Sequence, residues 1–387
     1  MTTTTTNNGV TNDRVLFITG TTGLVGGDLV RKYMDRGDRV YALVRAPSFA
    51  AAQERLAARL GGPLPPWVTA VAGDLTAPRL GIDDETWNAL AQDITDVLHA
   101  GTDINFGRPL DFAREVNFRG AQRVIELARA APRLRQVGHV STVYVAGKRT
   151  GLILEDELYH SAGFLNTYEQ TKYEAEVWLQ DQMRDLPISI YRMSSVLGDA
   201  RTGVVRQFNF LHQILRLLWG NLLPALPGDP ESTLDMIASD WLADALTTLF
   251  DSRFTPGETL HLCSGHDRSF TLAELLYSTY EQFTTLYPDR SLPPTPELLG
   301  YEEFLEYVRE TEKRGQHRLA QALGAMALFV PHQSFVKSFD NTKAQAELAG
   351  TGVVLPDIRD YHGRVVAYCL LSHWGRRPIA ESPPAGR

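Results

Sequence analysis

A short apolar run that empties directly into a glycine-spaced turn constrains this chain most. Residues 14–19 (RVLFIT) read as a buried strand, TGTTGLVGG follows at 19–27, and a helical stretch continues to about residue 36. The glycines fall as Gly20-x-x-Gly23-x-x-Gly26. The first permits a tight turn, the second lets backbone approach a pyrophosphate, and the third allows close helix–strand packing. The helix start then offers free N–H groups and a positive dipole end. A strand before and a helix after are the context in which such spacing means dinucleotide binding rather than an ordinary turn. The candidate cradle is therefore Gly20, Thr22, Gly23, Leu24, Val25 and Gly26.

The same strand-then-helix rhythm repeats through the first half. Strand patterns at 39–44, 68–72, 96–98, 137–140 and 188–191 alternate with helical stretches at about 49–60, 110–131 and 166–183. This predicts an α/β chain with a doubly wound parallel sheet, a Rossmann fold, over residues 13–198. Beyond Gly198 the segments lengthen and proline clusters appear at 224–230 and 293–296. Residues 199–375 are expected to form a smaller, mainly helical, substrate-binding lobe. Within it, 234–264 should return to the main sheet, through LDMIASDWLADAL at 234–246 and LHLCS at 260–264. Residues 1–12 and 376–387 read as disordered tails.

Composition narrows the function classes. Of 387 residues, 38 are Lys or Arg and 46 Asp or Glu, a net charge of −8, which argues against nucleic-acid binding. The two cysteines, Cys263 and Cys369, exclude a disulfide framework and a cysteine zinc site and fit a cytoplasmic chain. No stretch of about 18 apolar residues and no secretory signal is present, so no membrane span is expected.

Two patterns bear on chemistry. At the end of the second strand stands Arg45, with no carboxylate before Glu54, which favours NADP(H) over NAD(H); the alternative is a solvated charge at a strand end. In the GDL after the third strand, Asp74, followed by Leu75, is either an adenine contact or a turn cap. Farther on, YEQTK puts Tyr168 and Lys172 at i and i+4 on one helix face. A nearby ammonium, together with the positive nicotinamide of an oxidised cofactor, should pull a phenol, ordinarily titrating near 10, toward the working range. The fifth strand ends in Ser141-Thr142, where such sheets bind ligands, and either hydroxyl is a candidate donor to a substrate carbonyl.

Taken together, TGTTGLVGG, GDL, HAGTDINF, VSTVYVAG, YEQTK and YRMSSVLGDARTG resemble an extended short-chain dehydrogenase/reductase over about residues 13–350. The chain looks most like the branch of thioester reductases and fatty acyl-CoA reductases, with FDNTKAQAEL at 339–348 as a further shared element. The resemblance implies Thr142 as the catalytic hydroxyl, Tyr168 as the proton donor and Lys172 as the residue that holds the nicotinamide ribose and acidifies the tyrosine. It also implies reduction of a thioester carried on coenzyme A or a carrier protein. Two departures stand out: Met193 where the family commonly has proline, and Gly101-Thr102 where it often has two alanines.

Other readings stay open at this point: a ketone or quinone-like carbonyl of specialised metabolism, a sugar-nucleotide epimerase, or a non-catalytic dinucleotide sensor. The short segment before Arg14 suggests a stand-alone reductase. Residues 208–226 (FNFLHQILRLLWGNLLPAL) either shape an apolar slot or pack the lobe. His160, His261 and His266 look structural, and Glu155 and Asp156 cap or rim the site.

Overall fold

The strands are rich in Val, Ile, Leu and Ala and buried along most of their length, as expected of strands covered on both faces, with polar side chains such as His99, His139 and Arg192 buried among them. They form β1 (Val15–Thr19), β2 (Arg39–Val44), β3 (Val68–Ala72), β4 (Asp96–His99), β5 (Gln136–Thr142), β6 (Ile188–Met193) and β7 (Thr259–Leu262). This is a computed structural model that describes residues 13–292, 294–326 and 335–377. All seven strands run parallel in one sheet, ordered β7-β6-β5-β4-β1-β2-β3. The order reverses between β1 and β4, so the crevice above their carboxyl ends is where a doubly wound sheet receives ligand.

Connecting helices cover both faces: α1 (Leu24–Arg36), α2 (Phe49–Leu60), α3 (Asp84–Asp93), α4 (Leu110–Asn117), α5 (Arg119–Ala130) and α6 (Thr167–Gln182). Two buried apolar clusters result, one on each side of the sheet, containing for example Leu16, Ile18 and Leu98 on one and Phe17, Val97 and Val137 on the other. The helix expected over 110–131 is divided at Phe118, whose ring meets Trp178 edge-on at 6.4 Å.

After Gly198 come α7 (Phe210–Trp219), α8 (Ser239–Ser252), α9 (Leu272–Leu286), α10 (Tyr301–Lys313), α11 (His317–Met326), α12 (Thr342–Leu348) and α13 (Ile358–Leu371). The return to the main sheet expected of 234–264 is only partial. β7 joins it, but Met236–Ala238 pairs with Ser195–Gly198 in a separate two-stranded sheet. The chain bends after β6, where the Ser194 amide still bonds to Leu262, and the next strand can no longer follow the sheet. Another small parallel pair joins Gly151–Ile153 to Lys337–Phe339. The tail expected at 1–12 lies outside the described residues, as does all of the one at 376–387 except Arg376 and Arg377.

Candidate active site

The nucleotide end is built by the turn from β1 into α1. Gly20 has φ +72°, and a Cβ there would sit 2.5 Å from the Ala100 carbonyl oxygen; one on Gly26 would sit 2.4 Å from that of Gly20. Only glycine fits either place. Helix α1 begins after Gly23 with no side-chain cap and no acid in its first turn, which leaves its N-terminal amides for an anion. The Thr21 hydroxyl donates to Leu43 O at 2.8 Å, strapping the turn to β2, and Arg59 of α2 donates to Gly23 O at 3.0 Å. Such a cradle fits the phosphates of a dinucleotide.

All the sequence-predicted residues meet one cleft of about 660 Å³: Gly20, Thr22, Gly23, Leu24, Val25, Gly26, Arg45, Asp74, Leu75, Thr142, Tyr168 and Lys172. At its nucleotide rim Arg45 is exposed, and Arg55 joins it by donating to the Arg45 carbonyl at 2.7 Å. Asp74 Oδ1 accepts from the amide and hydroxyl of Thr76, both at 2.8 Å, so it caps its own turn while facing the cleft. Leu75 forms the wall against which Gly101 and Gly120 pack.

The other end is set by β5 and α6. Asn166 caps α6 by accepting from the Glu169 amide at 3.0 Å, which places Tyr168 in the first turn and Lys172 one turn deeper. Tyr168 and Thr142 line the same cleft, and the Thr142 hydroxyl acts to lower the Tyr168 pKa. The Phe106 ring lies 5.5 Å from that of Tyr168 and 6.5 Å from that of Phe210 of α7. Lys172 is 2% exposed and donates to Val140 O at 2.9 Å and to His139 Nε2 at 3.0 Å. Burial pushes the Lys172 amine down to about 8, with Glu176 pulling it back up.

The tyrosine differs from the expectation. Its pKa is raised, first by burial and then by the Glu169 and Glu176 charges, against the lowering influence of the Thr142 hydroxyl. The Lys172 ammonium points at His139 and Val140 O, so the hydroxyl is held protonated rather than acidified.

The choice between the two hydroxyls also has a physical basis. Ser141 donates to Glu176 Oε1 at 2.5 Å, and Glu176 pairs with Arg192 at 2.8 Å, both side chains fully buried. That network occupies Ser141 and leaves Thr142 beside Tyr168. It continues through His261, which contacts Arg192 at 3.2 Å and Asp340 O at 2.7 Å. Glu155 is buried within it, accepting from the amides of His261 and Lys343 at 2.7 Å each, and burial raises its carboxyl to about 7.

Among the departures, Gly101, Thr102 and Met193 all line the cleft. A Cβ on Gly101 would fall 2.6 Å from Leu75 Cδ1, and the Thr102 hydroxyl donates to Asn117 Oδ1 at 2.8 Å. Of 208–226, Phe210 reaches the cleft while Leu211, Leu215 and Leu218 are buried in the core. His160 bonds to Val145 O within a ring cluster, and His266 is exposed. No group of three metal-ligating side chains converges among the described residues. No helix among them is long and apolar enough to cross a membrane.

Sequence reasoning passed over Asn117, Arg55, Phe106, Glu176 and His139. Asn117 fastens the cleft loop through the Asp103 amide at 2.7 Å and α6 through Thr171 at 3.0 Å. The signal for His139 and Glu176 was a polar residue at a position that the strand or helix pattern buries.

Comparison with known proteins agrees with this geometry. The chain is 28% identical over 63% of its length to a linear gramicidin synthase of Brevibacillus parabrevis. It is 26% identical over 88% of its length to the large chain of the L-2-aminoadipate reductase of Penicillium chrysogenum. It spans only 5% and 25% of those two proteins. In fold it is similar to the terminal R domain from the myxalamid PKS-NRPS biosynthetic pathway, with a TM-score of 0.76 at 24% identity, covering 95% of this chain and 92% of that one. The NAD-binding family described as Male sterility protein matches residues 18–246. With more than half of the chain matched and the glycine cradle intact, the chain belongs to that family.

Proposed function

We propose that the cleft reduces an acyl thioester, carried on coenzyme A or a carrier protein, to the aldehyde, with residues 199–375 forming the lobe that receives the acyl part. The observation that carries this reading is that Thr142, Tyr168 and Lys172 line the same cleft as an uncapped helix start. The names of the relatives, a gramicidin synthase and an aminoadipate reductase, point the same way. NADP(H) is the preferred cofactor, because Arg45 and Arg55 together offer a 2′-phosphate two guanidinium groups at the rim.

When bound, the reduced nicotinamide supplies a hydride to the thioester carbonyl carbon. Thr142 and Tyr168 orient that carbonyl by donating to its oxygen, where charge develops. Tyr168 Oη then gives its proton to the oxygen, a transfer suited to a phenol that burial keeps protonated. Lys172 would hold the ribose through the direction that His139 and Val140 O leave free. Collapse of the hemithioacetal expels the thiol and leaves the aldehyde. Phe106 and Phe210 shield the reacting centre from water on the open side.

The test mixes protein and NADPH with an acyl-coenzyme A and follows absorbance alongside free thiol. Equal amounts of oxidised cofactor and thiol are expected. Oxidation with ketones alone, or isomerisation of a nucleotide sugar without net oxidation, overturns the reading.

A further inference from the structure

Behind the cleft floor, two histidines lie in a buried layer between β1 and Lys172. The His139 ring is 5.0 Å from that of His99 and tilted 52° to it, and both side chains are almost wholly buried. His99 Nδ1 shares a 2.6 Å hydrogen bond with the Thr19 hydroxyl, which also accepts from the Gly101 amide at 3.0 Å. His99 Nε2 is buried with no hydrogen-bond partner among the described residues. On the far side, Lys172 Nζ reaches His139 Nε2.

An ammonium only donates, so His139 Nε2 must accept and its single proton must sit on Nδ1. A second proton would put a charge in a buried layer beside another cation. Burial, followed by the Lys172 charge, accordingly holds His139 well below its ordinary range and His99 at about 3. The titratable groups around Lys172 are Tyr168 and Glu176 on its own helix, His139 on β5 and His99 on β4. The two imidazoles stay neutral throughout the working range.

From this geometry we infer that His139 is a positioning residue for Lys172. With the Val140 carbonyl it takes up two of the amine's tetrahedral directions and so aims the remaining one at the cleft. The His99–Thr19 pair keeps the accepting imidazole neutral and in place. Where Lys172 is charged, the free direction presents N–H; where it is neutral, it presents the lone pair. His139 thereby favours the charged state, because its lone pair is spent on an N–H donor. This inference rests on the reductase reading above for its catalytic consequence only.

The test has two arms, both on the full chain. Nitrogen-15 NMR of labelled histidines, between about pH 6 and 9, reads the tautomer without substrate. His139 is expected as the Nδ1–H form, with an Nε2 signal that moves on Lys172→Met; an Nε2–H form overturns the inference. In the kinetic arm, His139→Leu should lower kcat about tenfold and raise the KM for NADPH. It should also move the alkaline limb of the rate profile down by about one pH unit, the scale of a lost bond to a charged group. His139→Gln, which keeps an acceptor, should restore all three. A leucine variant with the parent's pH profile overturns the inference, as does a glutamine variant no better than leucine. If the leucine variant does not fold, the glutamine variant and the NMR arm still decide. Absence of turnover in the parent chain refutes the reductase reading alone, because the tautomer is read independently.

Discussion

Tyr168 owes its chemistry to its surroundings more than to any acidity of its own. With its pKa raised by burial it is held protonated, as the proposed proton donor must be. Tyr168→Phe should cut kcat by about 100-fold or more, the scale of a positioned general acid. NADPH binding, followed by its fluorescence, should change little. The pH dependence has a definite sign. Lys172 sits below its usual range, at about 8, so it loses its proton as pH rises through that value. Activity carried by the ammonium should be full below about pH 8 and fall above it, which steady-state rates from acid to alkaline buffers will show. Glu176 holds Ser141 and Arg192 at once. Glu176→Ala strands a buried guanidinium and should cost about 3–5 kcal/mol, measured by urea unfolding. Tyr168 and Lys172 were legible because i and i+4 is local information. Asn117, Glu176 and His139 were not, since their partners lie 14 to 54 residues away.

At the scale of elements, the β1–α1 unit was readable almost to the residue, because apolar run, glycine spacing and helix pattern agree. Gly20→Ala tests how strictly it is built. A side chain there must take φ +72° and meet the Ala100 carbonyl. The expected outcome is a loss of about 1–3 kcal/mol in stability together with loss of NADPH binding, by thermal melting and fluorescence titration. In the β2–α2 unit, Arg45→Asp with Arg55→Ala should shift preference toward NADH, read as the ratio of kcat/KM for the two cofactors. The helix at Asp84–Asp93 carried its own signals, an Asp83 cap and buried Trp87, Leu90 and Ala91, but it is short and escaped notice. The small strand pairs were beyond reach for a different reason. Three residues such as Met236–Ala238 show no periodicity until their distant partner, Ser195–Gly198, is known.

Over the whole molecule, a chain of net charge −8 still sets Arg45 and Arg55 along the cleft and Arg59 on the Gly23 carbonyl of the α1 turn. A parallel sheet that binds at its carboxyl edge followed from alternation alone. How the carboxyl-terminal segment returns did not, because it depends on contacts across nearly 190 residues, such as Glu155 with Lys343 and Ala344. That stitching limits what protein engineers can exchange. A chimaera that borrows a different C-terminal cassette must carry its own counterpart of residues 337–344, or keep this one. Otherwise Glu155 and His261 lose their dock, and the buried network that they share with Arg192 is undone along with the cassette.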